Sequence, residues 1–134
     1  MVIDAIIERA ADGTFNVYCS NEIFSGAGET IDDAKADMMK QIDFYKKTAV
    51  EEGFKYPAFL DGEYSFSYTV DMVSLMKYYV NSGILSLAGL EKITGINKKQ
   101  LWGYINGTKP RKTQAARIES GFRALDKDLN SIFA

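Results

Sequence analysis

Apolar and polar positions alternate along Val2 to Arg9, with Ile3, Ala5 and Ile7 on one side and Asp4 and Glu8 on the other; Ile6 breaks the alternation. A period of two predicts a half-buried strand. Ala11-Asp12-Gly13-Thr14 supplies turn chemistry, and Phe15, Val17 and Cys19 then alternate with Asn16 and Tyr18, so a hairpin is expected. A third, weaker strand is expected around Glu22 to Ala27, where Gly26 and Gly28 point to a bulge or a close backbone approach. Next the period changes. Thr30 and Asp33 form a T-x-x-D variant of the capping box, and Ile31, Ala34, Met38, Ile42, Tyr45 and Ala49 follow at helical spacing until Gly53. After the Tyr56-Pro57 loop and the Asp61-Gly62 turn, Tyr64, Phe66, Tyr68 and Val70 alternate with Ser65, Ser67 and Thr69, the clearest strand in the chain.

Asp71 marks the change to a purely helical pattern. Met72, Met76, Tyr79 and Val80 form a stripe that stops at Gly83. Ser86 then caps a second helix, with Leu85 and Leu90 at staple spacing, and Gly95 ends it. Asn97 caps a third, in which Leu101, Tyr104 and Ile105 share one face. Thr113 is expected to cap a final helix that buries Ala116, Ile118, Phe122 and Leu125 and runs on toward Ile132. The fold class is therefore α+β: a small βββαβ antiparallel sheet domain over residues 1–71, then an all-α helix–turn–helix domain over 72–134.

Charge sharpens this division. Residues 1–71 carry 14 acidic and 6 basic side chains, a net of −8, whereas residues 72–134 carry 4 acidic and 10 basic, a net of +6. The overall charge of −2 hides an acidic half and a basic half. The lack of histidine removes the commonest general base and metal ligand. A single cysteine, Cys19, excludes an intrachain disulfide and fits a reducing cytoplasm. No apolar run approaches the roughly 20 residues of a membrane span, and the first residues lack a basic leader. A cytoplasmic protein that does not engage membranes is expected.

In the basic half, the third helix carries Lys98, Lys99, Trp102 and Asn106 opposite its apolar face, the arrangement a recognition helix needs in a major groove. Lys98, Lys99, Gln100 and Trp102 are the candidates for base contacts. Gly103 joins them: in mid-helix it costs about 1 kcal/mol against alanine, which is explained either by a groove wall passing close or by tight packing on another helix. Asn97, Asn106, Thr108, Lys109, Arg111 and Lys112 are the candidates for phosphate contacts, which fix register without reading sequence. One such helix reads a half-site, so a homodimer or higher homo-oligomer on operator DNA is expected. No cofactor and no metal are called for.

The turn Ala11-Asp12-Gly13, the segment Gly28-Glu29-Thr30-Ile31-Asp32-Asp33-Ala34 and the βββαβ order resemble the HicB antitoxin family. Where that family has a Pro-Gly-Cys-like stretch before the third strand, this chain has Ser20-Asn21-Glu22-Ile23. Gly95-Ile96-Asn97, Leu101, Asn106-Gly107, Lys109 and Arg111 resemble the Cro/phage-repressor helix–turn–helix class, with Glu91 where a small residue is usual. The resemblance implies a partial ribonuclease-H-like fold in the first half and, as partner, a HicA-type ribonuclease toxin, which is basic and has a double-stranded-RNA-binding-like fold. An acidic domain is the electrostatic complement of such a surface. The expected function is an antitoxin that neutralises the toxin through its first domain and represses its own operon through the second. The alternative is a stand-alone regulator whose α+β domain senses a ligand or protein. Catalysis is not expected: Asp4, Asp32, Asp33 and Asp37 read as capping and solvated carboxylates, not as a two-metal nuclease cluster.

Overall fold

Strand β1 (Val2–Arg9) turns Ile3, Ala5 and Ile7 into the core and leaves Val2 and Asp4 exposed. The computed structural model describes residues 1–133, and the chain divides into two compact units, Met1–Asp71 and Met72–Ala134. β1 is joined to β2 (Phe15–Cys19) by a turn in which the Asp12 carboxylate accepts from the amide and hydroxyl of Thr14, at 3.0 and 2.6 Å. Those two bonds hold the Asp12 carboxyl below its usual range. β3 (Ser25–Gly28) pairs antiparallel with β2 and is shorter and later than the pattern around Glu22 suggests.

Helix α1 (Ile31–Glu52) covers one face of this sheet. The Thr30 hydroxyl accepts from the Asp33 amide at its start, and Gly53 ends it in the left-handed region. Ala34, Met38, Ile42 and Ala49 are buried along its inner stripe, each larger side chain contributing about 1.5–3 kcal/mol by leaving water. The helix lies so close to β3 that a Cβ at Gly26 would stand 2.3 Å from the Met38 amide nitrogen and 2.5 Å from the Ala34 carbonyl oxygen. This is the close backbone approach that the two glycines foretell.

β4 (Ser65–Val70) completes a four-stranded sheet of order β3-β2-β1-β4, and it runs parallel to β1, with Ile3 opposite Phe66 and Ile7 opposite Val70. The sheet is thus mixed, not wholly antiparallel as expected. Residues 53–64, including a short 3-10 turn at Ala58–Asp61, carry the chain back from the end of α1, so that β4 enters from the same end as β1. Alternation marks a strand but does not name its neighbour.

The second unit is all helical: α2 (Met72–Asn81), α3 (Leu87–Thr94), α4 (Lys98–Ile105) and α5 (Lys112–Phe133). Its core is Met76, Leu90, Ile96, Leu101, Tyr104 and Ile118. Two details of the last helix differ from expectation. It begins at Lys112, so Thr113 lies inside the first turn and is not its cap. Ala115 is half-buried while Ala116 is exposed, one position away from the expected stripe, with Ile118, Phe122 and Leu125 inward as read. α5 also passes close to α3, since a Cβ at Gly121 would stand 2.7 Å from the Ile93 carbonyl oxygen. Among the described residues no helix is long and apolar enough to cross a membrane.

Candidate nucleic-acid interface

Two eight-residue helices, α3 and α4, meet at the three-residue turn Gly95-Ile96-Asn97. Ser86 starts α3 by accepting from the Gly89 amide at 2.9 Å. Gly95 ends it at φ 73°, a conformation few other residues adopt without strain. Ile96 is buried and anchors the turn in the core, and Thr94 ties the two together: its hydroxyl donates to the Leu90 carbonyl at 2.6 Å and accepts from the Ile96 amide at 3.1 Å.

The start of α4 is satisfied twice over. The Asn97 side-chain oxygen accepts from the Gln100 amide at 2.9 Å, and the Glu91 carboxylate accepts from the Lys98 amide at 2.8 Å. Glu91 therefore leans outward from the contact between the helices and becomes a second cap, its negative charge set against the positive end of the α4 dipole. From α5, the Arg117 guanidinium donates to the Gly95 carbonyl at 3.1 Å and to Gln114 at 3.2 Å. Glu91 thus ties the start of α4 to α3, and Arg117 ties the turn before it to α5. The sequence carries little signal for either, because both bonds join residues on different elements.

On α4, Leu101 and Tyr104 are buried and Ile105 is half-buried. Lys98, Lys99, Gln100 and Trp102 are all exposed, Trp102 by 59%. Tryptophan is highly buried on average, and Trp102 departs from that. Lys99, Gly103 and Asn106 lie at i, i+4 and i+7 along the middle of the outer face. A Cβ at Gly103 would meet only the Thr108 hydroxyl, at 3.8 Å. No helix packs against it, so tight packing does not explain this glycine.

Of the other candidates, Asn106 turns its side-chain amide back to the Trp102 carbonyl at 2.8 Å and closes the helix. Thr108, Lys109, Arg111 and Lys112 are exposed on the stretch that leads into α5. That helix opens on Lys112 and has no acidic residue in its first turn, the reverse of what a helix dipole prefers and what an anion would compensate. The structure therefore presents the candidates as two neighbouring groups, the outer face of α4 and the basic entry to α5.

The first unit offers no comparable chemistry. Among the described residues, no three histidine, cysteine, aspartate or glutamate side chains stand together as metal ligands would. Cys19 is buried, 3.9 Å from the Met38 sulfur, and burial, with Glu22 adding to it, pushes its thiol above the usual range. No protein-family model matches the chain, and neither the curated proteins nor the solved structures compared with it yield a match.

Proposed function

We propose that this chain is a DNA-binding repressor whose acidic first unit binds a basic protein partner, in the manner of an antitoxin of the HicB type. The observation that carries the DNA-binding part is the outer face of α4, where two lysines, a glutamine and an exposed tryptophan surround a glycine that nothing in the fold requires. Lys98, Lys99, Gln100 and Trp102 are assigned to base edges, with Gly103 admitting the groove wall. Lys109, Arg111 and Lys112, beside the uncompensated start of α5, are assigned to phosphates, as are Thr108 and, through atoms not engaged in capping, Asn97 and Asn106. One such helix spans a half-site, so two copies bind a pseudo-palindromic operator. The antitoxin part rests on the resemblance of residues 11–13 and 28–34 to that family and on the −8 charge of residues 1–71, which suits a basic ribonuclease.

Selection of the full chain against random duplexes tests the DNA-binding part. An enriched half-site is expected, with affinity falling steeply as salt rises. Lys109→Ala or Arg111→Ala should weaken all sequences alike and lower the salt slope by about one each, whereas Lys99→Ala should also change the preferred base. Absence of binding at low salt refutes the assignment. For the antitoxin part, co-expression with the product of a neighbouring short gene for a basic protein should give a complex and rescue growth.

A further inference from the structure

β3 is a sheet edge, paired on one side only. The Cys19 amide donates to the Phe24 carbonyl at 3.0 Å, and the alternation of an antiparallel ladder then turns the amides and carbonyls of Ser25 and Ala27 outward. Ala27 is guarded, since its amide donates to the Asp37 carboxylate at 2.9 Å. Among the described residues Ser25 has no such guard, although natural proteins usually blunt an exposed edge. Beside it α1 presents Asp37, Gln41, Phe44 and Thr48 at i, i+4, i+7 and i+11, and the edge and helix enclose a groove of about 390 Å³.

The groove's floor is Phe24 and Tyr45, held edge-to-face with centroids 5.3 Å apart. Three apolar side chains on its rim stand largely in water: Ile23 at 73%, Phe44 at 68% and Phe54 at 55% exposure. Clustered exposure of this kind marks a contact surface. No lysine or arginine lines the groove, while Asp37 does. Glu22 adjoins it along the chain, and Asp33 and Glu51 extend the same α1 stripe by one turn at each end.

We infer that this groove binds an extended, basic and apolar segment of a partner protein, which adds a strand to β3 at Ser25 and seats alternate apolar side chains between Ile23, Phe44 and Phe54. Strand addition uses backbone hydrogen bonds for affinity and side-chain pockets for specificity, and the net charge of −8 over residues 1–71 favours a basic partner. The inference rests on the proposed role of the first unit as the binder of a basic partner, and it names the surface and the form of the ligand.

The test titrates the ¹⁵N-labelled full chain with a blocked heptapeptide of alternating lysine and isoleucine, and separately with its glutamate counterpart. The lysine peptide should shift the Ser25 amide most, downfield as it gains an acceptor, and the glutamate peptide should leave it unmoved. Ser25→Pro removes the free donor at an edge position where proline is tolerated, and Phe44→Ser removes an exposed side chain. Each should weaken binding about tenfold or more, a loss of about 1.4 kcal/mol. Shifts that map away from β3 and α1, equal response to the acidic peptide, or unchanged binding in both variants overturn the inference. So does a fall in oligomeric state on Phe44→Ser, which would make a second copy the occupant. DNA added to the same sample reports on α4 independently, and rescue from a toxin is scored in cells, so failure of the groove and failure of the wider reading are told apart.

Discussion

Replacing Gly103 by alanine separates what α4 needs for folding from what it needs for DNA. The new methyl group would find only the Thr108 hydroxyl at 3.8 Å, an ordinary contact, so the folded state accepts it without rearrangement. Glycine in a helix interior is less favourable than alanine by about 0.8–1.0 kcal/mol. Gly103 lies six residues into an eight-residue helix whose end is fixed by Asn106, so most of that difference is recovered. The variant should be more stable by about 0.5–1 kcal/mol, raising the midpoint of the second unit's transition by about 2–8 °C for a domain of this size. DNA affinity should move the other way. A methyl group in the middle of the outer face keeps the helix from its seat, and a loss of about 1–3 kcal/mol, comparable to a lost base contact, is expected. Thermal unfolding followed by circular dichroism measures the first quantity, and fluorescence anisotropy on the selected duplex measures the second. A variant that is both more stable and equally tight on DNA refutes the placement of the groove wall at Gly103. One that is less stable refutes the packing argument.

Gly26→Ala should behave in the opposite way, because its Cβ would strike backbone atoms of α1 at 2.3 and 2.5 Å; a loss of about 3 kcal/mol or more, read from urea unfolding, is expected, and an unchanged midpoint contradicts the close approach. Glu91→Ala should cost about 1 kcal/mol through loss of the second cap on α4, and Glu91→Gln should recover part of that because it still accepts from Lys98; equal losses would mean the bond contributes nothing. The Cys19 thiol, raised by burial, should resist a thiolate-specific reagent at pH 8 in the native protein and react fully once unfolded; rapid native reaction would contradict its placement.

Local chemistry was the legible part of this molecule. Thr30, Ser86 and Asn97 each cap the helix that their spacing indicates, and Gly53 and Gly95 end the helices that precede them, because a cap is decided within about four residues. The apolar stripe of α1 follows from periodicity in the same way. What the sequence concealed depends on residues far apart. Nothing within residues 64–70 tells that they lie parallel to β1, and Glu91 reads as an awkward substitution until its carboxylate is seen on Lys98. Arg117 looks like a solvated charge until α5 is placed beside the turn. The exposed rim of Ile23, Phe44 and Phe54 was hidden for a related reason: each residue is unremarkable in its own segment, and only the approach of α1 to β3 gathers them. Ala115 and Ala116 mark the resolution of such readings, since two alanines side by side give a helical pattern no means of choosing between them.

The pairing of β1 with β4 has a consequence for how the molecule is made. Val2 meets Ser65 and Ile7 meets Val70, so the strand synthesised first receives its second neighbour only after more than sixty residues have followed. Until then one whole side of β1, with Ile3 and Ile7 beside it, presents open backbone to whatever else is nearby in the cell. Closing so long a loop is slow compared with assembling helices from adjacent residues. The sheet therefore waits on its last strand, and the helical unit, residues 72–134, is synthesised only after that strand. Nascent chains of this protein therefore pass through an interval in which the acidic half is the aggregation-prone part, and a ribosome stalled shortly before residue 65 would hold it there.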